Sequence, residues 1–393
     1  MWCRLPGDLL TDWPSSRRLM RILQVARQFH PKVGGIESCV LNLSRGLIAR
    51  GHSVEVVTLD RDIRNRRRLE GPSEIDSIRI HRIPYFGPRR YPVAPSWLRL
   101  IDDFDVVHIH AIDFFIDSAS LARYLGFHRK PIIVTTHGGI FHTRAWRALK
   151  NVYWRLVLKR TLSAATVVVA VSDNDAMLFS SIVPPERLVT IPNGIDRAFV
   201  DARASRVRGR LVYVGRVSCA KAIDKVIQLI GALAPEFEDL ELVVAGPDEN
   251  GTTKALQQEA DALGLKSRVR FLGELPLNEL ARLVASSHLF ISAAPHEGFG
   301  ITTVEALSAG VPVLVTRTGI HEQVVRPPRN GWFWSGSPDA EAAATLREAL
   351  LLPEARLDEM QRSARESAVP FDWESITDRY EHVLESAYRE NPR

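Results

Sequence analysis

The chain of 393 residues is 45% hydrophobic, too apolar for a disordered protein and long enough for two domains of roughly 150 to 200 residues each. Its formal charge of +5 is unevenly placed: residues 1–200 hold 29 Lys/Arg against 18 Asp/Glu, whereas residues 201–393 hold 22 against 28. The basic first half points to an anionic partner, with nucleic acid, anionic lipid and a phosphorylated substrate as the classes to separate. No apolar run approaches the roughly 18 to 20 residues that span a bilayer, which argues against an integral membrane protein. Three dispersed cysteines, Cys3, Cys39 and Cys219, assemble neither a disulfide framework nor a cysteine-based zinc site and fit a reducing cytoplasm.

In chain order, residues 1–19 show no periodicity, carry two prolines and lack the apolar core of a secretory signal. They read as a disordered extension or as a mis-annotated start ahead of Met20. From Met20 short β-branched runs alternate with helical patterns: Ile22–Ala26, an amphipathic stretch Glu37–Arg50, then Val54–Leu59, Val106–His110, Ile132–Thr136 and Thr166–Val171. Each strand candidate is nearly all apolar, as strands buried on both faces are, so residues 20–200 predict a doubly wound α/β domain with a parallel sheet. An irregular Arg- and Ala-rich segment runs to Gly209. The alternation then restarts with Leu211–Val214, Leu240–Ala245, Val269–Leu272, Leu289–Ser292 and Val313–Thr316, predicting a second such domain over 201–372, followed by a helix from Trp373 within 373–393.

Two open α/β sheets in series place their carboxyl ends at a shared cleft, so the residues after each strand carry the function. In the first domain these include Gly34-Gly35, His110 to Asp113, and Thr136-His137-Gly138-Gly139; in the second, Gly215-Arg216 to Lys221, Gly246-Pro247-Asp248, and Gly273-Glu274. The strongest signal is Pro295-His296-Glu297-Gly298-Phe299-Gly300-Ile301-Thr302-Thr303-Val304-Glu305. Its glycines let backbone approach a ligand, and a helix starting near Thr302 offers unpaired amides to an anion such as a diphosphate. The separation of Glu297 and Glu305 suits carboxylates gripping different hydroxyl-bearing parts of one extended ligand. Two Asp-x-Asp patterns, Asp103-Phe104-Asp105 and Asp173-Asn174-Asp175, have local explanations, one ahead of a buried strand and the other at a helix start.

In this frame the chain resembles the retaining, nucleotide-sugar-dependent glycosyltransferases of family 4, which have the GT-B fold of two Rossmann-like doubly wound domains facing a central cleft. The Glu297/Glu305 pair matches the family's E-x7-E motif. Further matches are Gly34-Gly35, Thr136-His137-Gly138-Gly139, Pro192-Asn193-Gly194-Ile195-Asp196, Gly215-Arg216 to Lys221 and Phe371-Asp372-Trp373. Val25 to Pro31, His110 to Phe115 and Thr136 to Thr143 are similar to the α-mannosyltransferases of xanthan- and acetan-type exopolysaccharide synthesis, which move mannose from GDP-mannose to a cellobiosyl-diphosphate-linked polyprenol.

The resemblance implies a role for each matching position. Arg216 and Lys221 would stabilise the leaving diphosphate, Glu297 would contact the donor sugar and Glu305 the ribose. Amides around Phe299, Gly300, Ile301 and Thr302 would hold phosphates. Gly34, Gly35, Gly215, Gly246 and Gly273 would line the donor site, and His137 would position the reacting sugar. Asp113 and His142 would touch the acceptor. Ala222 departs from the family, which often has glycine after the lysine, so a different local turn is expected. No essential metal or other cofactor is implied.

Basic clusters at Arg61 to Arg68 and Arg89-Arg90, with a basic aromatic-bearing helix expected over His142 to Leu162, suit peripheral attachment to the anionic inner face of the plasma membrane. No nucleic-acid-binding motif accompanies the arginines, so no nucleic acid is expected. The glycine pattern after the first strand lacks the Gly-x-Gly-x-x-Gly of dinucleotide oxidoreductases. Alternatives are a family 4 transferase using a UDP-sugar or a soluble glycan acceptor and, more distantly, a sugar-nucleotide epimerase.

Overall fold

The computed structural model describes residues 18–32, 34–89, 91–137, 153–297 and 299–390. The chain divides into two compact units, Met1–Asn193 with Trp373–Arg393, and Gly194–Asp372.

Among the described residues the first unit holds eight strands: β1 (Arg21–Val25), β2 (Ser53–Leu59), β3 (Glu74–Ile75), β4 (Ile78–Ile83), β5 (Val106–His110), β6 (Ile132–Thr135), β7 (Val167–Ala170) and β8 (Leu188–Thr190). They lie in the order β3-β4-β2-β1-β5-β6-β7-β8. All neighbours are parallel except the β3–β4 hairpin. That hairpin and β8 were not predicted. The run Ile-Arg-Ile-His-Arg-Ile of β4 mixes in three basic residues, and the turn uses Asp76 and Ser77 at φ 50° and 64° instead of the Asn-Gly or Asp-Gly that advertises such a turn.

Alternation in the strands feeds two cores. Leu23, Val25, Val57, Ile109 and Val134 pack with Trp97, Phe115 and Phe179. Ile22, Val54, Val106, Ile133 and Val169 pack with Leu43 and Leu47 of the helix Gly35–Ala49, and with Ile376, Tyr380 and Leu384 of the helix Trp373–Glu390. Full burial of each such aliphatic chain contributes roughly 1.5–3 kcal/mol. The two helices approach closely because position 46 is glycine: a Cβ there would lie 2.4 Å from Thr377 Oγ1. Arg50 adds ion pairs to Asp378 and Glu381 at 2.5 and 3.1 Å, and His52 Nε2 meets Glu381 at 3.1 Å.

Among the described residues the second unit has six strands, β9 (Val207–Val214), β10 (Glu241–Ala245), β11 (Val269–Gly273), β12 (Ser287–Ser292), β13 (Val313–Val315) and β14 (Gly331–Phe333). Their order is β11-β10-β9-β12-β13-β14, and every pair is parallel. The Arg- and Ala-rich stretch expected to be irregular instead contains the helix Arg197–Asp201, whose Asp196 cap accepts from Ala198 N at 2.9 Å, and the start of β9. Residues 194–200 belong to this unit, ahead of the sequence boundary at 200, because Ile195 bridges to Asp372 and its N–H donates to Phe371 O at 2.7 Å.

Both sheets reverse strand order once, between β1 and β5 in the first unit and between β9 and β12 in the second. Such reversals open a crevice at the strands' carboxyl ends, where open α/β sheets bind ligands. The helix expected over His142 to Leu162 lies outside the described residues up to 152. Its described part is a π-helix, Tyr153–Leu158, followed by an α-helix, Lys159–Leu162.

Candidate active site

In the second unit the two loops at the strand-order reversal bring together two residues 76 positions apart: Lys221 Nζ donates to Glu297 Oε1 at 2.6 Å. Both side chains are largely buried, at 16% and 18% exposure. A lysine–carboxylate pair so far removed from water interacts more strongly than a surface pair, and it sets a cation beside a hydroxyl-accepting carboxylate. Thr318 Oγ1 fixes the loop by accepting from Glu297 N at 3.1 Å. Lys221 closes a 3-10 turn, Cys219–Lys221, and Ala222 follows at φ 50°, ψ 41°. Alanine thus adopts the left-handed conformation that glycine takes without strain, so this turn does not need the family's glycine. Arg216 does not join the pair; it is exposed and bound to Glu249 at 3.1 Å.

The backbone around this pair is shaped by glycine. Gly215 and Gly246 have φ of 146° and 142°, and a Cβ on Gly246 would stand 2.0 Å from Gly215 O. Gly273 has φ 68° with open space around it. Gly300, at φ 95°, begins the helix Ile301–Ser308 without a side-chain cap, leaving first-turn amides of Ile301 and Thr302 for an anion. A Cβ on Gly300 would meet His321 Nε2 at 2.8 Å. That ring is fixed from below: its Nδ1–H donates to Thr316 O at 2.7 Å, so Nε2 accepts from the Thr303 hydroxyl at 2.9 Å. Phe299 is buried, packs edge-on against Phe371 with ring centroids 6.1 Å apart, and accepts from Ile320 N at 2.8 Å. Glu305 is partly buried on the same helix, and burial, then Asp196, pushes its carboxyl up to about 8. It is therefore mostly neutral at pH 7 without a ligand.

In the first unit His137 follows β6 at φ 49°. Its Nε2 lies 3.1 Å from His110 Nδ1, and His110 Nε2 lies 2.7 Å from Gln24 Oε1. Because the amide oxygen can only accept, this orientation puts a proton on His110 Nε2 and makes His137 the donor to His110 Nδ1. His108 lies tilted against His110, with ring centroids 4.1 Å apart, and hydrogen-bonds Thr135 Oγ1, which meets Tyr380 OH at 3.2 Å. Burial lowers His137 to about 4 and His108 to about 3, and drives His110 down as well. The cluster is neutral at pH 7, so a hydrogen bond from His137 to a ligand would come from a neutral imidazole and not an imidazolium. Cys39 Sγ, on the helix Gly35–Ala49, completes a group of metal-capable atoms with His110 and His137, all within 4.8 Å of one another. A site of cysteines alone was excluded by their dispersal; this mixed group needs only one.

Asp113 is buried and caps the helix Phe114–Tyr124, accepting from Phe115 N at 2.9 Å, with Arg27 Nε 3.6 Å from its other oxygen. Burial, opposed by Arg27, raises it to about 7. Its primary structural use is as a cap. Gly34 has extended backbone and is the N-cap of the helix Gly35–Ala49, while Gly35 has room for a Cβ; neither occupies the left-handed region. His142, Gly138, Gly139 and Gly298 lie outside the described residues. Both Asp-x-Asp patterns are engaged within the first unit: Asp105 accepts from Arg21 N at 2.9 Å, and Asp175 accepts from Val171 N at 3.2 Å and from the Thr136 hydroxyl.

The sequence reading gave no role to Gln24, Cys39, His108, Thr303, Thr318 or His321. For two of them a signal existed: Gln24 and His108 interrupt otherwise apolar strand runs, and His108 and His110, two apart on β5, share one sheet face. Buried polar groups inside a strand demand partners, which marks them as a network.

Comparison with known proteins matches residues 33–199 to Glycosyltransferase Family 4 and residues 203–367 to Glycosyl transferases group 1. Proteins named GDP-mannose:cellobiosyl-diphosphopolyprenol alpha-mannosyltransferase are similar over nearly the whole chain. The one from Xanthomonas campestris is 32% identical, covering 92% of this chain and 95% of its own. That from Komagataeibacter xylinus is 34% identical, covering 93% of each. Among solved structures, Anabaena HepE in complex with UDP superposes with a TM-score of 0.73 at 20% identity, covering 93% of this chain and all of that one.

Proposed function

The chain belongs to glycosyltransferase family 4 and has the GT-B fold, and from that premise we propose that it moves mannose from GDP-mannose to a cellobiosyl-diphosphate-linked polyprenol with retention of configuration. The observation that carries the reading is the Lys221–Glu297 pair beside the uncapped helix Ile301–Ser308, in a chain about a third identical to enzymes so named. Lys221 and the amides of Ile301 and Thr302 would take up charge on the departing diphosphate. Glu297 would hold sugar hydroxyls, Glu305 the ribose, and neutral His137 would orient the sugar through a hydrogen bond. Arg216, held by Glu249, would reach the diphosphate only by exchanging that partner.

The test is incubation with labelled GDP-mannose and synthetic cellobiosyl-diphosphopolyprenol, with label counted in the lipid phase. Label in the lipid phase is expected. Transfer only from a UDP-sugar, or only onto another acceptor, would overturn the donor or the acceptor assignment.

Glu305 gives this reading a pH signature. Its carboxyl sits near 8, and a hydroxyl-gripping carboxylate must be ionised, so raising the pH removes a proton that binding would otherwise expel. GDP affinity is expected to rise roughly tenfold between pH 7 and pH 9 and then level off. Calorimetric titration of Glu305→Gln should show a flat profile over that interval; an unchanged slope would remove Glu305 from the nucleotide site.

We further propose peripheral membrane attachment. No helix among the described residues is long and apolar enough to cross a membrane. In the first unit Leu121, Tyr124, Leu125, Phe127 and Leu156 are exposed large hydrophobics. Lys159 and Arg160 accompany them, with the Arg160 guanidinium 5.7 Å above the Tyr124 ring. Apolar side chains among cations suit the interface of an anionic bilayer. Flotation with anionic liposomes at low salt should recover the protein in the vesicle fraction, and Tyr124→Glu/Phe127→Glu should cut that fraction at least tenfold. Wild-type protein remaining wholly soluble would dispose of the attachment.

A further inference from the structure

Cys39, His110 and His137 come from three different elements: the helix Gly35–Ala49, the end of β5 and the residue two after β6. The separation of 3.1 Å between His110 Nδ1 and His137 Nε2 is close to the roughly 3.3 Å between two imidazole nitrogens on one tetrahedral zinc with Zn–N bonds of about 2.0–2.1 Å. His110 also makes the outer hydrogen bond typical of a metal-bound histidine: with its Nε2–H donated to Gln24 Oε1, its Nδ1 lone pair faces His137. Cys39 is buried and His137 is partly exposed, so an ion would enter from the His137 side and find the thiol behind it.

We propose that Cys39, His110 and His137 form an inhibitory binding site for a borderline-soft divalent cation of the zinc class, whose occupation takes His137 out of the transfer reaction. The inhibition rests on the role proposed for His137, whereas the site rests on three ligand atoms within 4.8 Å of one another, which binding would draw together. On binding, the Cys39 thiol gives its proton to solvent and forms the S–metal bond. The His137 proton passes from Nε2 to Nδ1, freeing Nε2 as a ligand, and His110 binds through Nδ1 with its Nε2–H still on Gln24. One thiolate and two neutral imidazoles leave the fourth position to water, an open three-ligand arrangement. Thiolate and imidazole select zinc or cobalt over magnesium and calcium, which take oxygen ligands.

Cobalt(II), titrated into the full chain as a spectroscopic stand-in for zinc, tests the site without requiring activity. One equivalent should produce a near-ultraviolet thiolate-to-cobalt charge-transfer band with visible bands of a tetrahedral centre, displaced by zinc and untouched by magnesium. Cys39→Ala should lose the band, and Cys219→Ser, altering the exposed thiol, should keep it. In the transfer assay Cys39→Ala should retain activity while tolerating at least tenfold more zinc than the wild type; should it fold poorly, Cys39→Ser serves the same comparison. Absence of the band in the wild type, or its persistence in both Cys39 variants, overturns the site. A band that depends on Cys39, with transfer indifferent to zinc, overturns the inhibition and with it the role of His137, while leaving the metal site standing.

Discussion

Glu297→Ala is expected to lower kcat/KM for mannosyl transfer about 10³-fold, equivalent to about 4 kcal/mol of transition-state stabilisation. Two losses combine in this number. In the roles proposed above, the sugar hydroxyls would lose their carboxylate acceptor, and Lys221 would lose the oxygen that holds its amine at 2.6 Å, so the charge meant for the diphosphate would no longer be positioned. Because the two side chains act as one unit, Lys221→Ala should cost a comparable factor, and the double variant scarcely more than either alone. Steady-state kinetics on the three variants, with circular dichroism to verify folding, measures this. A Glu297→Ala enzyme within tenfold of the wild type would place the chemistry elsewhere, and fully additive losses would show that the two side chains act separately.

Gly246→Ala is expected to destabilise the protein by about 3 to 5 kcal/mol, combining positive-φ backbone strain with overpacking. The methyl would stand 2.0 Å from Gly215 O and 2.7 Å from its carbonyl carbon, at a φ of 142° that L side chains rarely adopt. Backbone cannot rotate away as a flexible side chain would, so β9 and β10 must part at their carboxyl ends. Gly215 leads directly into the turn carrying Lys221, and transfer should fall along with stability. Gly273→Ala is the control: its φ of 68° is also positive, yet nothing lies within 4 Å of the added carbon, and its cost should stay at about 1–2 kcal/mol. Denaturant unfolding of both variants gives the comparison. Equal midpoints would mean that the close approach of the Gly215 carbonyl carries no weight.

Much of the fold was legible because buried parallel strands write themselves as short apolar runs. Val106–His110 was read with the bounds it has, and Ile132–Thr136 ran one residue past Thr135. β4 escaped because it intersperses basic residues, and its turn lacks glycine. The helix at 197 escaped because five residues carry too little periodicity to register. In the candidate site the loop glycines and Glu297 were visible as motifs. The Gln24–His110–His137 chain was not, because its members are distant in sequence and meet only through strand order.

By itself the sequence determined the class: two α/β domains, glycine-punctuated loops after the strands, and a glycine-marked helix start, read near Thr302 and found at Ile301. Those features are local, written in side-chain period and in backbone positions that only glycine occupies cheaply. Tertiary structure alone decided which charges meet. Arg216 and Lys221 lie on one loop, yet one goes to Glu249 and the other to Glu297. It also decided which histidines are neutral, since burial is a property of the surroundings: β5 lies between β1 and β6, and the helix Trp373–Glu390 covers it with Tyr380. Pairing across elements depends on strand order and on which face is covered, and no local pattern in the chain carries that information.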